Sequence, residues 1–117
     1  MLDLRIKNGD CFIDGKLEKK EIGIADGKIT QIEDSIKESS KDTLDANELI
    51  VLPGCIDTQV HFREPGSTDT EDLNSGSKAA VAGGITGVFE MPNTYPPTAN
   101  EKEFQKKLNL AKDRMFC

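Results

Sequence analysis

The sequence predicts an α/β chain in which a small antiparallel β segment precedes two successive β/α units. Three observations carry this. Residues 1–48 hold short apolar alternations punctuated by Asn-Gly and Asp-Gly pairs. Near Glu48 the pattern changes to the continuous apolar run Leu49-Ile50-Val51-Leu52, closed by Pro53-Gly54. Beyond it the order is strand, loop, helix, strand, loop, helix, the repeating element of parallel α/β folds.

In residues 1–48, Leu2, Leu4 and Ile6 alternate, as do Ile22 and Ile24, with Ile29 and Ile32 following. Such spacing buries one face of an antiparallel sheet and leaves the other wet. Asn8-Gly9, Asp14-Gly15 and Asp26-Gly27 suit type I′ hairpin turns, whose two central residues need positive φ. Asp34 to Asp45 is rich in Lys, Glu and Ser and predicts a solvated loop.

Residues 49–117 open with the Leu49–Leu52 strand and a loop over Arg63 to Thr70. A helix is predicted over Glu71 to Ala82, capped by Thr70 or Asp69 and ended by Gly83-Gly84. Small residues (Ser77, Ala79, Ala80) suit close packing on a sheet, and Gly76 weakens the helix. Ile85 to Met91 predicts a second buried strand, bounded by Pro92. Asn100 then caps a second helix with Glu103 as its capping-box partner. Phe104, Leu108, Ala111 and Met115 share one face of it.

Composition bounds the function. Of 117 residues, 21 are Asp or Glu and 15 are Lys or Arg, a formal charge of -6. An acidic chain is a poor match for nucleic acid or an anionic membrane surface. No apolar run reaches the roughly 20 residues that span a bilayer, and the N-terminus does not resemble a signal peptide. Cys11, Cys55 and Cys117, odd in number and far apart, predict free thiols in a reducing compartment, so the cytoplasm is expected. His61 is the single histidine.

Chemistry concentrates at the strand ends. In Asp57-Thr58-Gln59-Val60-His61-Phe62-Arg63-Glu64-Pro65-Gly66, a period of two puts Asp57, Gln59, His61 and Arg63 on one face. His61 could bind a metal or move a proton, and Arg63 could clamp a carboxylate through its two-pronged guanidinium. A lone histidine is more often a hydrogen-bonded packing residue, and a lone arginine a surface ion pair. Met91 to Thr98 reads first as a proline-stiffened loop. Position changes the balance: both segments end consecutive strands and so face one rim, where functional side chains of α/β barrels gather.

The ordered motifs LPG-x-ID-x-x-VHFREPG, SGSKAA-x-AGG-x-T-x-V and MPNT-x-PPT resemble the opening of dihydroorotase, a cyclic amidohydrolase of pyrimidine synthesis in the amidohydrolase superfamily. The resemblance is close over residues 49–98 and looser over 1–48, which look like the small β-sandwich that precedes the barrel. It implies the first two β/α units of an incomplete TIM-type barrel. It further implies a zinc-dependent, reversible cyclisation of N-carbamoyl-L-aspartate to dihydroorotate, in which metal-bound hydroxide attacks the ring amide carbonyl. By the same resemblance His61 matches the second histidine of a metal pair on the first strand. Arg63 matches the arginine that binds the substrate carboxylate, Asn93 the asparagine that assists it, and Pro65-Gly66 the loop shaping that pocket.

Two departures stand out. Gln59 occupies the position of the first metal histidine, and a neutral amide is a poor zinc ligand. The chain also carries only two of the eight units such a barrel needs, without the later ligands or the acid–base aspartate. No catalysis, and doubtful zinc binding, are expected of these residues alone. Unpaired parallel strand edges predict marginal stability, self-association or a protein partner. A second expectation is a non-catalytic module that binds another pyrimidine-pathway protein such as aspartate transcarbamoylase. A third is an enzyme completed by another polypeptide.

Overall fold

A computed structural model describes residues 1–117, and the chain divides into two compact units, Met1–Pro53 and Gly54–Cys117. The first unit holds seven strands. They are β1 (Leu2–Lys7), β2 (Asp10–Ile13), β3 (Lys16–Lys19), β4 (Glu21–Ala25), β5 (Lys28–Glu33), β6 (Ser40–Asp45) and β7 (Ile50–Val51). They form a four-stranded sheet ordered β5-β4-β1-β6 and a three-stranded sheet ordered β3-β2-β7.

Two of the three predicted hairpins form. Asp14-Gly15 joins β2 to β3 and Asp26-Gly27 joins β4 to β5, with φ of 48° and 81° in the first pair and 51° and 70° in the second. Positive φ at both central residues is what a two-residue turn between right-twisted strands requires. Asn8-Gly9 is not such a hairpin. Asn8 alone has a left-handed φ, and the chain passes there from one sheet to the other. Gly9 is needed for space, since a Cβ would lie 2.6 Å from Val51 Cγ2 and 3.1 Å from Ala46 Cβ.

The expected loop over Asp34 to Asp45 is corrected in two ways. Ser40–Asp45 is a strand paired parallel to β1, and Ile36 is buried. Its polar composition follows from its exposure at a sheet edge, where only the backbone ladder needs a partner. The run Leu49–Leu52 likewise yields the short β7, parallel to β2, rather than the strand that carries the candidate site. The core of this unit is small: Leu2, Cys11, Ile22, Ile36 and Ala46. Ile29, Ile32 and Leu44 stay largely exposed.

The second unit is β8 (Cys55–Val60), α1 (Leu73–Ala82), β9 (Ile85–Glu90) and α2 (Glu101–Ala111). β8 and β9 pair in parallel, with α1 as the crossover between them. The helix begins later than predicted, and Asp72, rather than Thr70 or Asp69, is its N-cap. Asp72 accepts from Ser75 N at 2.7 Å, while Ser75 Oγ accepts from Asp72 N at 3.1 Å. Gly84, at φ 89°, lies just past the end of the helix, as predicted.

Gly76 faces Phe62 so closely that a Cβ would fall 2.7 Å from its ring. Asn100 caps α2 by accepting from Glu103 N at 3.0 Å. The predicted reciprocal bond is absent, because the Glu103 carboxylate instead accepts from Lys106. Phe104, Leu108, Ala111 and Met115 line one hollow of about 500 Å³ with Phe62, Leu73 and Val88. At its wall Lys107, itself buried, pairs with Glu90 at the end of β9. No helix of the chain is long and apolar enough to cross a membrane.

Candidate functional site

The site starts where β8 ends. Its ladder with β9 shifts register between Asp57 and Val60, so the strict alternation predicted for Asp57, Gln59, His61 and Arg63 is interrupted. One carboxylate oxygen of Asp57 is turned back onto its own strand, accepting from Gln59 N at 2.9 Å. Gln59, His61 and Arg63 are exposed beyond it. Met91 N donates to Val60 O at 2.9 Å, which ends both strands at one level. The segments that follow, 61–67 and 92–98, therefore share a rim.

These two segments are stitched together. Tyr95 N donates to Pro65 O at 3.0 Å, and Gly66, at φ 119°, lies against Tyr95 where a Cβ would come within 2.8 Å of its carbonyl oxygen. The second segment is tied internally: Thr94 N and Thr98 N both donate to Pro92 O at 2.9 Å, and Thr94 Oγ1 donates to Pro96 O at 3.0 Å. Between the segments, His61 Nδ1 meets Asn93 Oδ1 at 2.8 Å. Arg63 and Asn93 line one cleft of about 140 Å³ together with Phe62, Pro65, Ser67, Thr94 and Tyr95.

A part-buried clamp supports the rim from behind. Glu64, next to Arg63, receives Arg114 at both oxygens and also accepts from Leu73 N at 2.9 Å. The Arg114 guanidinium, with that backbone donor, holds the Glu64 carboxyl below the usual carboxylate range against the opposing effect of burial. Asp72 is lowered as well, first by its bonds from Ser75. The sequence gives no sign of this clamp, because its two ends lie 50 residues apart. Ser67, Thr94 and Tyr95 also line the cleft, with no chemical signature of their own in the sequence. Their only signal is adjacency to Pro65-Gly66 and Asn93.

The four candidate residues are thus not equivalent in space. His61 and Asn93 are joined directly, and Asn93 and Arg63 share the cleft. Gln59 lies outside it. As for a metal, no three His, Cys, Asp or Glu side chains converge in this chain. Cys55 begins β8 and His61 follows its end, so the two sit at opposite ends of one strand. The donor set, one imidazole and one neutral amide, does not fit a catalytic zinc, which takes about three protein ligands.

Known proteins resemble this arrangement. Residues 50–115 match the Amidohydrolase family. A dihydroorotase from Methanosarcina acetivorans is 45% identical over 115 residues, covering 97% of this chain and 25% of that protein. An allantoinase from Rubrobacter xylanophilus is 42% identical over 108 residues, covering 92% of this chain and 24% of the relative. The solved L-hydantoinase from Arthrobacter aurescens superposes with a TM-score of 0.88 at 30% identity, over 98% of this chain and 26% of its own. The chain therefore spans about a quarter of the length of the relatives it matches, and its barrel is incomplete.

Proposed function

The chain belongs to the amidohydrolase family, and from that premise we propose that it carries the carboxylate-binding edge of a dihydroorotase-like cyclic amide hydrolase. One observation carries the reading. Arg63 and Asn93, from the ends of two consecutive parallel strands, line a single cleft, and Asn93 is bonded to His61. A guanidinium offers a carboxylate two parallel N–H donors, and a primary amide adds a third. The ligand class is an N-carbamoyl amino dicarboxylate or its cyclised imide-like product, with one carboxylate in the cleft.

The reacting amide then lies toward His61. Ring opening and closure need groups beyond those these residues contribute, so catalysis belongs to the longer relatives' architecture and no chemical step is assigned to this chain. Three free cysteines support a cytoplasmic setting. A second reading, a non-catalytic binding module, is favoured by Gln59 at the position of a metal histidine. It differs in requiring a protein partner rather than a small ligand.

The allantoinase likeness supplies the discriminating comparison, because allantoin has no carboxylate. Titration of the chain with N-carbamoyl-L-aspartate and with allantoin, followed by backbone amide shifts, tests the proposal. The expected result is saturable binding of the dicarboxylate alone, with shifts centred on 62–67 and 93–95 and lost in Arg63→Met. Equal response to allantoin, or a response indifferent to Arg63→Met, overturns it.

A further inference from the structure

We propose that Asn93 is a positioning residue that fixes the tautomer of His61 and joins that imidazole to the carboxylate cleft. The His61 Nδ1 to Asn93 Oδ1 separation is 2.8 Å. An amide oxygen only accepts, so the proton of this bond belongs to Nδ1. A neutral imidazole carries one N–H, and Nε2 is therefore left with its lone pair. Without such a partner a neutral histidine side chain favours the opposite form, with the proton on Nε2. The contact thus selects the less common tautomer and presents a basic nitrogen away from Asn93.

The same side chain has a second end. With Oδ1 committed to His61, the NH2 of Asn93 is turned away from the imidazole, and Asn93 is part of the wall of the cleft that Arg63 enters. Its backbone is flanked on both sides by the bonds of Thr94 and Thr98 to Pro92 and of Tyr95 to Pro65, which fix where the side chain starts. A carboxylate in the cleft accepts from that NH2 and so reinforces the orientation that selects the His61 tautomer. This second half rests on the carboxylate reading of the cleft; the tautomer does not.

His61 is the only histidine, which makes the test direct. The uniformly 15N-labelled 117-residue chain at about pH 9, where a histidine is neutral, gives one pair of imidazole nitrogens in a long-range proton–nitrogen spectrum. The expected pattern is a protonated-type shift at Nδ1 and a lone-pair-type shift at Nε2. Asn93→Asp keeps an acceptor oxygen and should keep the pattern, while its negative charge lowers affinity for N-carbamoyl-L-aspartate by about tenfold or more. Asn93→Ala should revert to the Nε2–H form. A wild-type spectrum dominated by Nε2–H, or an Asn93→Ala spectrum identical to wild type, overturns the assignment. Should the wild type show the Nδ1–H form but bind no N-carbamoyl-L-aspartate, the carboxylate reading and the joining role fall while the tautomer role stands.

Discussion

Arg114 grips both carboxylate oxygens of Glu64, Nη1 to Oε1 at 2.9 Å and Nη2 to Oε2 at 3.0 Å, across 50 residues of sequence. The parallel two-bond geometry is the strongest form an Arg–carboxylate pair takes. It fastens the segment after α2 to the rim segment that bears Arg63. Breaking a fully buried pair costs about 3–5 kcal/mol, but the Arg114 side chain is 36% exposed, so water recovers part of that. Arg114→Met should therefore destabilise the chain, though by less than the loss of a fully buried pair would. Urea unfolding read by far-ultraviolet dichroism measures it, and a change within about 0.5 kcal/mol would show the clamp to be ornamental.

The clamp also sets a pH dependence. Arg114 holds the folded-state pKa of Glu64 below its usual value of 4.5, and burial only partly opposes it. A depressed carboxylate contributes stability that is complete above the unfolded pKa and lost as pH falls through the folded one. The stability difference between wild type and Glu64→Gln should be full at pH 7 and should shrink as pH falls below about 4.5. Unfolding midpoints of both proteins across pH 3 to 7 check this. A gap that widens in acid has the wrong sign for the proposed pair.

Gln59→His supplies a second imidazole on this strand, yet it should yield neither one zinc per chain nor dihydroorotate formation. Two imidazoles two residues apart are still one ligand short of a catalytic site. Metal content after dialysis and an assay with N-carbamoyl-L-aspartate would decide it. Stoichiometric zinc with turnover would mean that ligands outside the rim had been overlooked.

Local signals survive translation into structure best. Asp14-Gly15 and Asp26-Gly27 make the turns their chemistry demands, and Asn100 caps the helix it precedes. Asn8-Gly9 offers a dipeptide with the same turn preference and makes no hairpin, because the strand after it finds its partners in another sheet. The strand Ser40–Asp45 escapes prediction for a related reason: its partner β1 is more than 30 residues away, and no apolar alternation marks it. At the site the strand-end positions of His61, Arg63 and Asn93 are legible from pattern. Their supports, Tyr95 on Pro65 and Arg114 on Glu64, are tertiary pairings that no window of sequence contains.

Gly66 should tolerate no side chain. Its φ of 119° lies where residues with a Cβ are strained, and that Cβ would sit 2.8 Å from Tyr95 O and 2.9 Å from Tyr95 Cβ. Strain and collision act together, so Gly66→Ala should cost about 2–3 kcal/mol. It should also open the Tyr95 N–H to exchange, since that group bonds to Pro65 O beside it. Hydrogen exchange at Tyr95 that matches wild type would argue that the two segments are not held together at Gly66.

For Gly76 two effects oppose each other, and their sizes decide the outcome. Replacing a mid-helix glycine by alanine gains about 1 kcal/mol of helix propensity. The new Cβ, however, would lie 2.7 Å and 2.8 Å from the Phe62 ring and 2.9 Å from Glu71 Cδ. Glu71 can swing away, but Phe62 is 4% exposed and can yield only toward the two hollows it lines. Overpacking of this kind costs about 1–3 kcal/mol, so Gly76→Ala should destabilise by about 1 kcal/mol on balance. Phe62 sits between His61 and Arg63 in sequence and lines both the cleft and the larger hollow. A displaced ring should therefore shift the amide signals of His61 and Arg63 as well. A stabilised variant with those signals unmoved would show that helix and strand are less tightly packed than the Gly76–Phe62 approach implies.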